Sequence, residues 1–401
     1  MSRSAASFRS VVAAIGLGQL LAWGSSYYLL ATLARPMAAD LGIPGVWVYA
    51  SFSAALVIAA VLGPWAGARI DRHGGRRVLL VSNLLFAASL VLLAGAQDRY
   101  TLTLGWLAMG VAMPMGLYDA AFSTVVALYG AQARRAIVGV TLIAGFASSV
   151  SWPLTAFVEA HGGWRAACAL WALLHLTLGL GLHARFVPDG AAVLAVHAST
   201  ADGTASPPAS PRTLWILSAV FTASGFVFAS MAAHLPRVLE AVGCAPAVAV
   251  AAAAILGVAQ VAARVAEASW LKRLHPLLTA RLSMALHPLG ATLLVIVGAP
   301  FAFAFTALHG AGVGIMTIVK GTLPLALFGP TGFGRRAGLL EAPARIAQAS
   351  APIVFGLWLD RWGAQVLWLT AALAAGGFAG LMALRLPRLS ADASSAASPD
   401  R

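Results

Sequence analysis

The sequence predicts an all-α polytopic membrane protein of twelve transmembrane helices, arranged as two six-helix bundles related by a pseudo-twofold repeat. Three observations carry this. The chain is 60% hydrophobic and only 10% charged, whereas a soluble domain carries about 25% charged residues to keep its surface wet. Apolar runs of about 20 residues recur along it, and each spans a hydrocarbon core about 30 Å thick at about 1.5 Å of rise per residue. The pattern of runs also repeats at an offset of 200 residues.

Taken in order, the first six apolar runs fall at 11–33, 46–68, 78–97, 101–128, 137–158 and 164–186. Arg3 and Arg9 precede the first run in the manner of a signal peptide. The run is too long for the usual apolar region of such a peptide, and it continues into Arg35-Pro36 without a convincing cleavage site, so it reads as a membrane helix. Residues 187–212, VPDGAAVLAVHASTADGTASPPASPR, are small, polar and Pro-rich. They cannot bury enough apolar surface to offset their ordering entropy, and are expected to form a flexible cytoplasmic linker. Six further runs follow at 213–235, 247–269, 278–298, 300–327, 339–359 and 364–386, with 387–401 as a cytoplasmic tail. The domains expected are therefore 1–186 and 213–386. Single residues echo the repeat: Pro36 and Pro236, Asp40 and Glu240, Gly110 and Gly310, Arg135 and Arg335.

The net charge of +13 would point a soluble protein toward nucleic acid. Here basic residues cluster in alternate loops, at Arg72/Arg76/Arg77, Arg134/Arg135, Lys272/Arg273 and Arg335/Arg336. The intervening loops hold single arginines, Arg35, Arg99, Arg165, Arg237 and Arg361, each with an acid nearby. Lys and Arg hold loops in the cytoplasm, so both termini are expected inside, in the inner membrane if the cell is Gram-negative. Cys168 and Cys244 lie in different runs and the nine histidines lack metal-ligand spacing, so no disulfide framework, metal or cofactor is expected. The partners expected are a small solute, the bilayer and coupling protons, with no nucleic acid and a monomeric chain.

After the second run comes Gly67-Ala-Arg-Ile-Asp71-Arg72-His-Gly74-Gly-Arg76-Arg77. It fits G-x-x-x-D-[RK]-x-G-x-[RK], and at this address it resembles the loop between helices 2 and 3 of the major facilitator superfamily. Gly163-Trp164-Arg165 at the start of the sixth run, the central linker and the 6+6 repeat extend the resemblance over the whole chain. The resemblance implies a secondary transporter working by alternating access. It also implies that Gly67, Asp71, Arg72, Gly74, Arg76 and Arg77 form a gating loop braced against helix 11, with a cavity lined by helices 1, 4, 7 and 10. On topology alone, the three arginines merely hold the loop inside. Two departures weaken a drug:proton antiporter: Trp106 stands where the family often has Arg four residues before a Gly, and the Gly-Pro-rich signature of helix 5 is missing around Gly145.

Ionisable side chains at membrane depth cost roughly 2.5–3.5 kcal/mol on insertion scales unless paired or wetted, so each asks for a reason. Asp119 in the fourth run and Lys320 in the tenth occupy equivalent places and are candidates to pair across the cavity or to hold a proton and an anion. Otherwise Asp119 pairs with a loop arginine such as Arg72, and Lys320 snorkels to the surface. Arg264 and Glu267 are three apart and Glu341 and Arg345 four apart, which reads as two structural pairs on helix faces. Gln19, Trp23 and Tyr27 share one helical face that either meets the solute or packs. His309 is a titratable candidate in the cavity, or an ordinary packing residue.

The function expected is a secondary active transporter of a small solute, proton-coupled, leaning toward an organic or anionic substrate. An uncoupled uniporter and a drug or metalloid efflux carrier are the alternatives on the same fold. An enzyme is disfavoured, because the chain holds no H-E-x-x-H and no G-x-S-x-G. A P-loop is excluded because neither Lys272 nor Lys320 follows a glycine. A transport-inactive sensor is the remaining class.

Overall fold

The structure is a computed structural model that describes residues 7–189 and 210–384. Most of the expected linker and the whole expected tail lie outside the described residues. Helices cover all twelve predicted runs, and among the described residues nine helices are long and apolar enough to cross a membrane. The nine take in the second, third, fourth, sixth, seventh, eighth, ninth, tenth and twelfth runs, with the ends of the fifth and eleventh joined to the spans that follow them.

The first half comprises α1 (Phe8–Gly24), α2 (Tyr27–Asp40), α3 (Gly45–His73), α4 (Gly75–Ala94), α5 (Arg99–Gly116), α6 (Tyr118–Tyr129), α7 (Arg134–Ala144), α8 (Ala147–Leu174) and α9 (Leu180–Phe186). The second half comprises α10 (Pro211–Ala241), α11 (Pro246–Ser269), α12 (Pro276–Val297), α13 (Ala302–Phe328), α14 (Phe333–Trp362) and α15 (Leu367–Met382). The sequence leads one to expect continuous first, fourth and fifth helices, and the structure corrects all three. The first breaks at Ser25–Ser26 between α1 and α2. The fourth breaks at Leu117, where an extended residue follows Pro114 and Gly116. The fifth breaks at Gly145–Phe146. Hydropathy reads such breaks poorly, because a broken membrane helix stays apolar while neighbours satisfy its freed backbone groups. At the fourth-helix break, the Gln19 side chain donates to the Gly116 carbonyl at 2.6 Å.

Helices in a bilayer gain little from apolar burial against one another and associate instead by close packing over small residues. The α3–α14 interface follows this rule: a Cβ on Gly67 would overlap the Gly334 backbone, and one on Gly338 would overlap Gly63. Packing also repeats along the chain. Gly110 of α5 lies against the Ala55 carbonyl of α3, and Gly310 of α13 lies against the Leu256 carbonyl of α11. The apolar clusters of the first half accept only a few second-half residues, Leu325, Phe333, Ala337 and Ala349. The outer surface is apolar, with Val61, Val258 and Ile296 exposed, as a lipid-facing surface requires.

Candidate functional site: a central cavity between the halves

A cavity of about 120 Å³ lies between the two halves of the chain. At about 10–15 Å³ per water, it has room for roughly ten waters or one small organic molecule. Its first-half wall is aromatic: Trp23, Tyr27 and Tyr28 flank the α1–α2 break, and Tyr118 and Phe122 follow the α5–α6 break. Trp23 packs against Tyr27 at 4.7 Å and against Tyr118 at 5.2 Å between ring centroids. The rings stand at the breaks themselves: Trp23 lies in the last turn of α1, Tyr27 and Tyr28 open α2, and Tyr118 opens α6. The second-half wall supplies Phe221, Ser224 and Gly225 from α10, Gln260 and Arg264 from α11, Thr317 and Lys320 from α13, and Glu341, Arg345 and Gln348 from α14.

The charges in this cavity are partnered across helices. Arg345 donates to the Asp119 carboxylate, joining the second half to the first. Lys320 donates to Glu341 at 2.9 Å and stands over the Phe221 ring at 5.6 Å. Both expected same-helix pairs are therefore corrected: Glu341 and Arg345 turn to different partners, and so do Arg264 and Glu267. Glu267 accepts from Arg134 of α7 at 3.0 Å. Spacing on one helix allows a pair, but a buried charge takes whichever partner gives it the better desolvated geometry. Asp119 meets neither Lys320 nor Arg72.

Arg264 differs from the other cavity cations. It is 6% exposed, donates to the Thr317 hydroxyl at 3.3 Å, and has no carboxylate partner among the described residues. Across the cavity three cations, Arg264, Lys320 and Arg345, face two anions, Asp119 and Glu341. Four lining residues also keep a buried polar atom with no protein partner: Trp23 Nε1, Arg264 Nε, Arg345 Nη1 and Glu341 Oε1. Three of these are donors and one an acceptor, so the cavity complements an acceptor-rich, anionic group.

Trp23 and Tyr27 lie on the wall of this cavity, and Tyr27 donates to Gln348 at 3.2 Å. Gln19 does not, being turned to the Gly116 carbonyl. His309 is also absent from this wall and meets His287 elsewhere. In the loop motif, Gly74 makes the α3–α4 turn at φ +77°, a backbone conformation that favours glycine. Asp71 accepts from the backbone N–H groups of Gly334 at 2.8 Å and Arg335 at 2.9 Å, at the positive N-terminal end of α14. Arg76 donates to the Ala184 carbonyl at 2.6 Å, and Arg72 and Arg77 are exposed. On the opposite side of the same end, Arg134 reaches Glu267 and the Leu274 carbonyl at 3.1 Å. Contacts between the halves thus bridge the Arg-rich end of the molecule.

The Major Facilitator Superfamily model matches residues 15–306. The chain belongs to that superfamily. As a member it is a transporter and a multi-pass membrane protein, not an enzyme. No curated protein matches the sequence. Among solved structures, the human organic anion transporter MFSD10 (TETRAN) aligns with TM-score 0.71 at 17% identity, covering 93% of this chain and 99% of that one. The proton:xylose symporter XylE bound to 6-bromo-6-deoxy-D-glucose aligns with TM-score 0.72 at 15% identity, covering 94% of this chain and 95% of that one. At these identities the likeness is one of fold. Within this superfamily member, sequence reasoning missed Gln260, Gln348 and Tyr118, and took Arg264 for a structural charge. The missed signal was positional: Arg264 and Gln260 are four apart, hence on one face, in an otherwise apolar helix.

Proposed function

We propose that this protein is a secondary active transporter of a small organic anion, with Arg264 receiving the anionic group. The observation that carries this reading is Arg264, a buried guanidinium on the cavity wall that pairs with no carboxylate among the described residues. A buried cation without a counter-charge is costly, and an anionic solute supplies what the protein does not. Guanidinium also matches a carboxylate or phosphate by two parallel N–H bonds. The aromatic wall of Trp23, Tyr27 and Tyr118 suits the apolar part of the solute.

The two halves, 1–186 and 213–386, rock about the cavity as bodies. Asp71 at α14 and Arg134 at Glu267 hold the basic end shut, and their release opens it. With the Arg-rich loops inside, that end is cytoplasmic. Coupling to protons makes the carrier active, and an uncoupled uniporter is the second reading of the same cavity. The test is transport into proteoliposomes across monocarboxylates, dicarboxylates, phosphate esters, neutral sugars and organic cations, with a pH-sensitive dye inside. Anion flux accompanied by proton movement, and lost in Arg264→Gln at unchanged protein abundance, is the expected result. Transport of cations or sugars alone, or anion flux unaffected by Arg264→Gln, overturns the substrate reading. Anion flux without proton movement returns the protein to a uniporter.

A further inference from the structure

A second, smaller cavity lies in the second half beside the central one, with which it shares Ser224 and Val313. It measures about 30 Å³, enough for roughly two waters. Its polar walls are His287 of α12, His309 of α13, and the hydroxyls of Ser224 and Ser283. The two imidazoles are 5% and 2% exposed, and their Nδ1 atoms face each other at 2.9 Å. Phe305 stacks on His309 at 6.0 Å and 16°, fixing the ring plane.

A hydrogen bond between two Nδ1 atoms requires one protonated and one bare nitrogen. The donor ring therefore has a bare Nε2 in its neutral form, and the acceptor ring carries its proton on Nε2. Neither Nε2 has a protein partner among the described residues. The Ser283 hydroxyl is committed as donor to the Gly312 carbonyl at 2.7 Å, so toward the cavity it can only accept. The pair thus offers one bare basic nitrogen and one N–H, both buried.

We propose that His287 and His309 together form a proton-loading site, filled from water in the small cavity and coupled to the anion in the central one. This rests on the carrier reading above. One proton adds to the bare Nε2, giving an imidazolium whose Nδ1–H still donates to the neutral ring. The pair gains one positive charge and no other bond changes. The charged and titratable groups on α12, α13 and the helices packed against them are Arg281 of α12, Lys320 of α13, Arg264 and Glu267 of α11, Arg212, His234, Arg237 and Glu240 of α10, Arg335, Arg336, Glu341, Arg345, Asp360 and Arg361 of α14, Arg134 and Arg135 of α7, and Tyr118, Asp119 and Tyr129 of α6, while α15 carries none. None of them lines the small cavity. An anion held in the central cavity places its negative charge across the shared Ser224–Val313 wall from the pair, and that charge favours the imidazolium. Binding linkage then runs both ways: anion favours proton and proton favours anion.

Two measurements test this. In the full chain with isotope-labelled histidine in lipid nanodiscs, both rings are expected to shift together over a single one-proton titration. Substituting either partner by Gln should change the remaining ring's titration. Rings that stay neutral from pH 8 to pH 4 overturn the site. In proteoliposomes, with whichever anion of the panel moves, a one-unit pH gradient supports accumulation of up to about tenfold at one proton per solute. The double variant His287→Gln/His309→Gln should lose that accumulation while exchange at equal pH survives. Accumulation that persists, or exchange lost at normal abundance, overturns the proposal. If no anion moves, the carrier reading fails, and the nanodisc titration still decides whether the pair loads a proton.

Discussion

Arg345 and Asp119 lie in different halves of the chain, and each is the other's charged partner inside the cavity. Removing one member of a buried pair leaves the other charge uncompensated, at a cost of about 3–5 kcal/mol, while removing both is much milder. Asp119 is 18% exposed at its side chain, toward a polar cavity, so Asp119→Asn is expected near the low end, roughly 3 kcal/mol. Thermal unfolding of both single variants and of Asp119→Asn/Arg345→Gln checks this, and the double should lose less than the two singles combined. Asp40 is a contrasting case, exposed at the end of α2 and held by Arg165 and Trp164 of α8. The Arg165 and Trp164 donors keep its carboxyl below the usual range. A depressed carboxylate stabilises the fold above its unfolded pKa of about 3.9 and loses that contribution as pH falls through the folded value. The Tm advantage of the native chain over Asp40→Asn should therefore be present at pH 6 and fade below about pH 4. Neither partnership is legible in the sequence, where Asp119 and Arg345 stand more than two hundred residues apart.

Element by element, the sequence locates helices well and their breaks poorly. Each predicted run is helical, because about 20 apolar residues between charged loops leave the chain no other way to satisfy its backbone in lipid. The breaks at Ser25–Ser26 and Leu117 escape notice because serine, proline and glycine are ordinary in membrane helices. Those breaks nevertheless put Tyr27 and Tyr118 into the cavity. The α3–α14 contact is an element-scale feature that the Gly63 and Gly67 spacing announces and the structure completes with Gly338 and Gly334. Substituting Gly67 by Val forces these helices apart at their Arg-rich end, and nearby backbone cannot yield as a flexible side chain would. In a background with Cys168 and Cys244 replaced by Ser, the Ser224→Cys variant should then react faster with a thiol reagent applied from the Arg-rich side. Unchanged labelling would show that this contact does not control access.

At the scale of the whole molecule, the basic end is fastened on two sides. Asp71 of α3 meets the N-terminus of α14, and Glu267 of α11 meets Arg134 at the N-terminus of α7. The helices involved are counterparts in the repeat, α3 with α11 and α7 with α14, although Glu267 stands four residues short of the position 200 beyond Asp71. Exposed ion pairs contribute little singly, but Glu267 is 1% exposed and Asp71 draws on two backbone amides. Releasing either should shift part of the population toward the state open at this end, and Asp71→Asn with Glu267→Gln should shift more than either alone. Spin-label distances between cysteines placed at Arg72 and Lys272 read that opening directly, as growth of a longer-distance population.

The sequence by itself determined the membrane setting, the number and order of apolar runs, the repeat and the family, because those depend on local composition and spacing. It also marked most of the charges that matter, since any ionisable residue in an apolar run stands out. Only the tertiary structure decided which charges meet. Lys320 chose Glu341, Arg345 chose Asp119, Arg134 took Glu267, and Arg264 was left facing the cavity with no acid paired to it among the described residues. The physical reason is that the energy of a buried charge depends on distances of a few ångströms between helices. Those distances are set by the glycine contacts and helix breaks of the packed bundle, and sequence spacing along a single helix does not contain them.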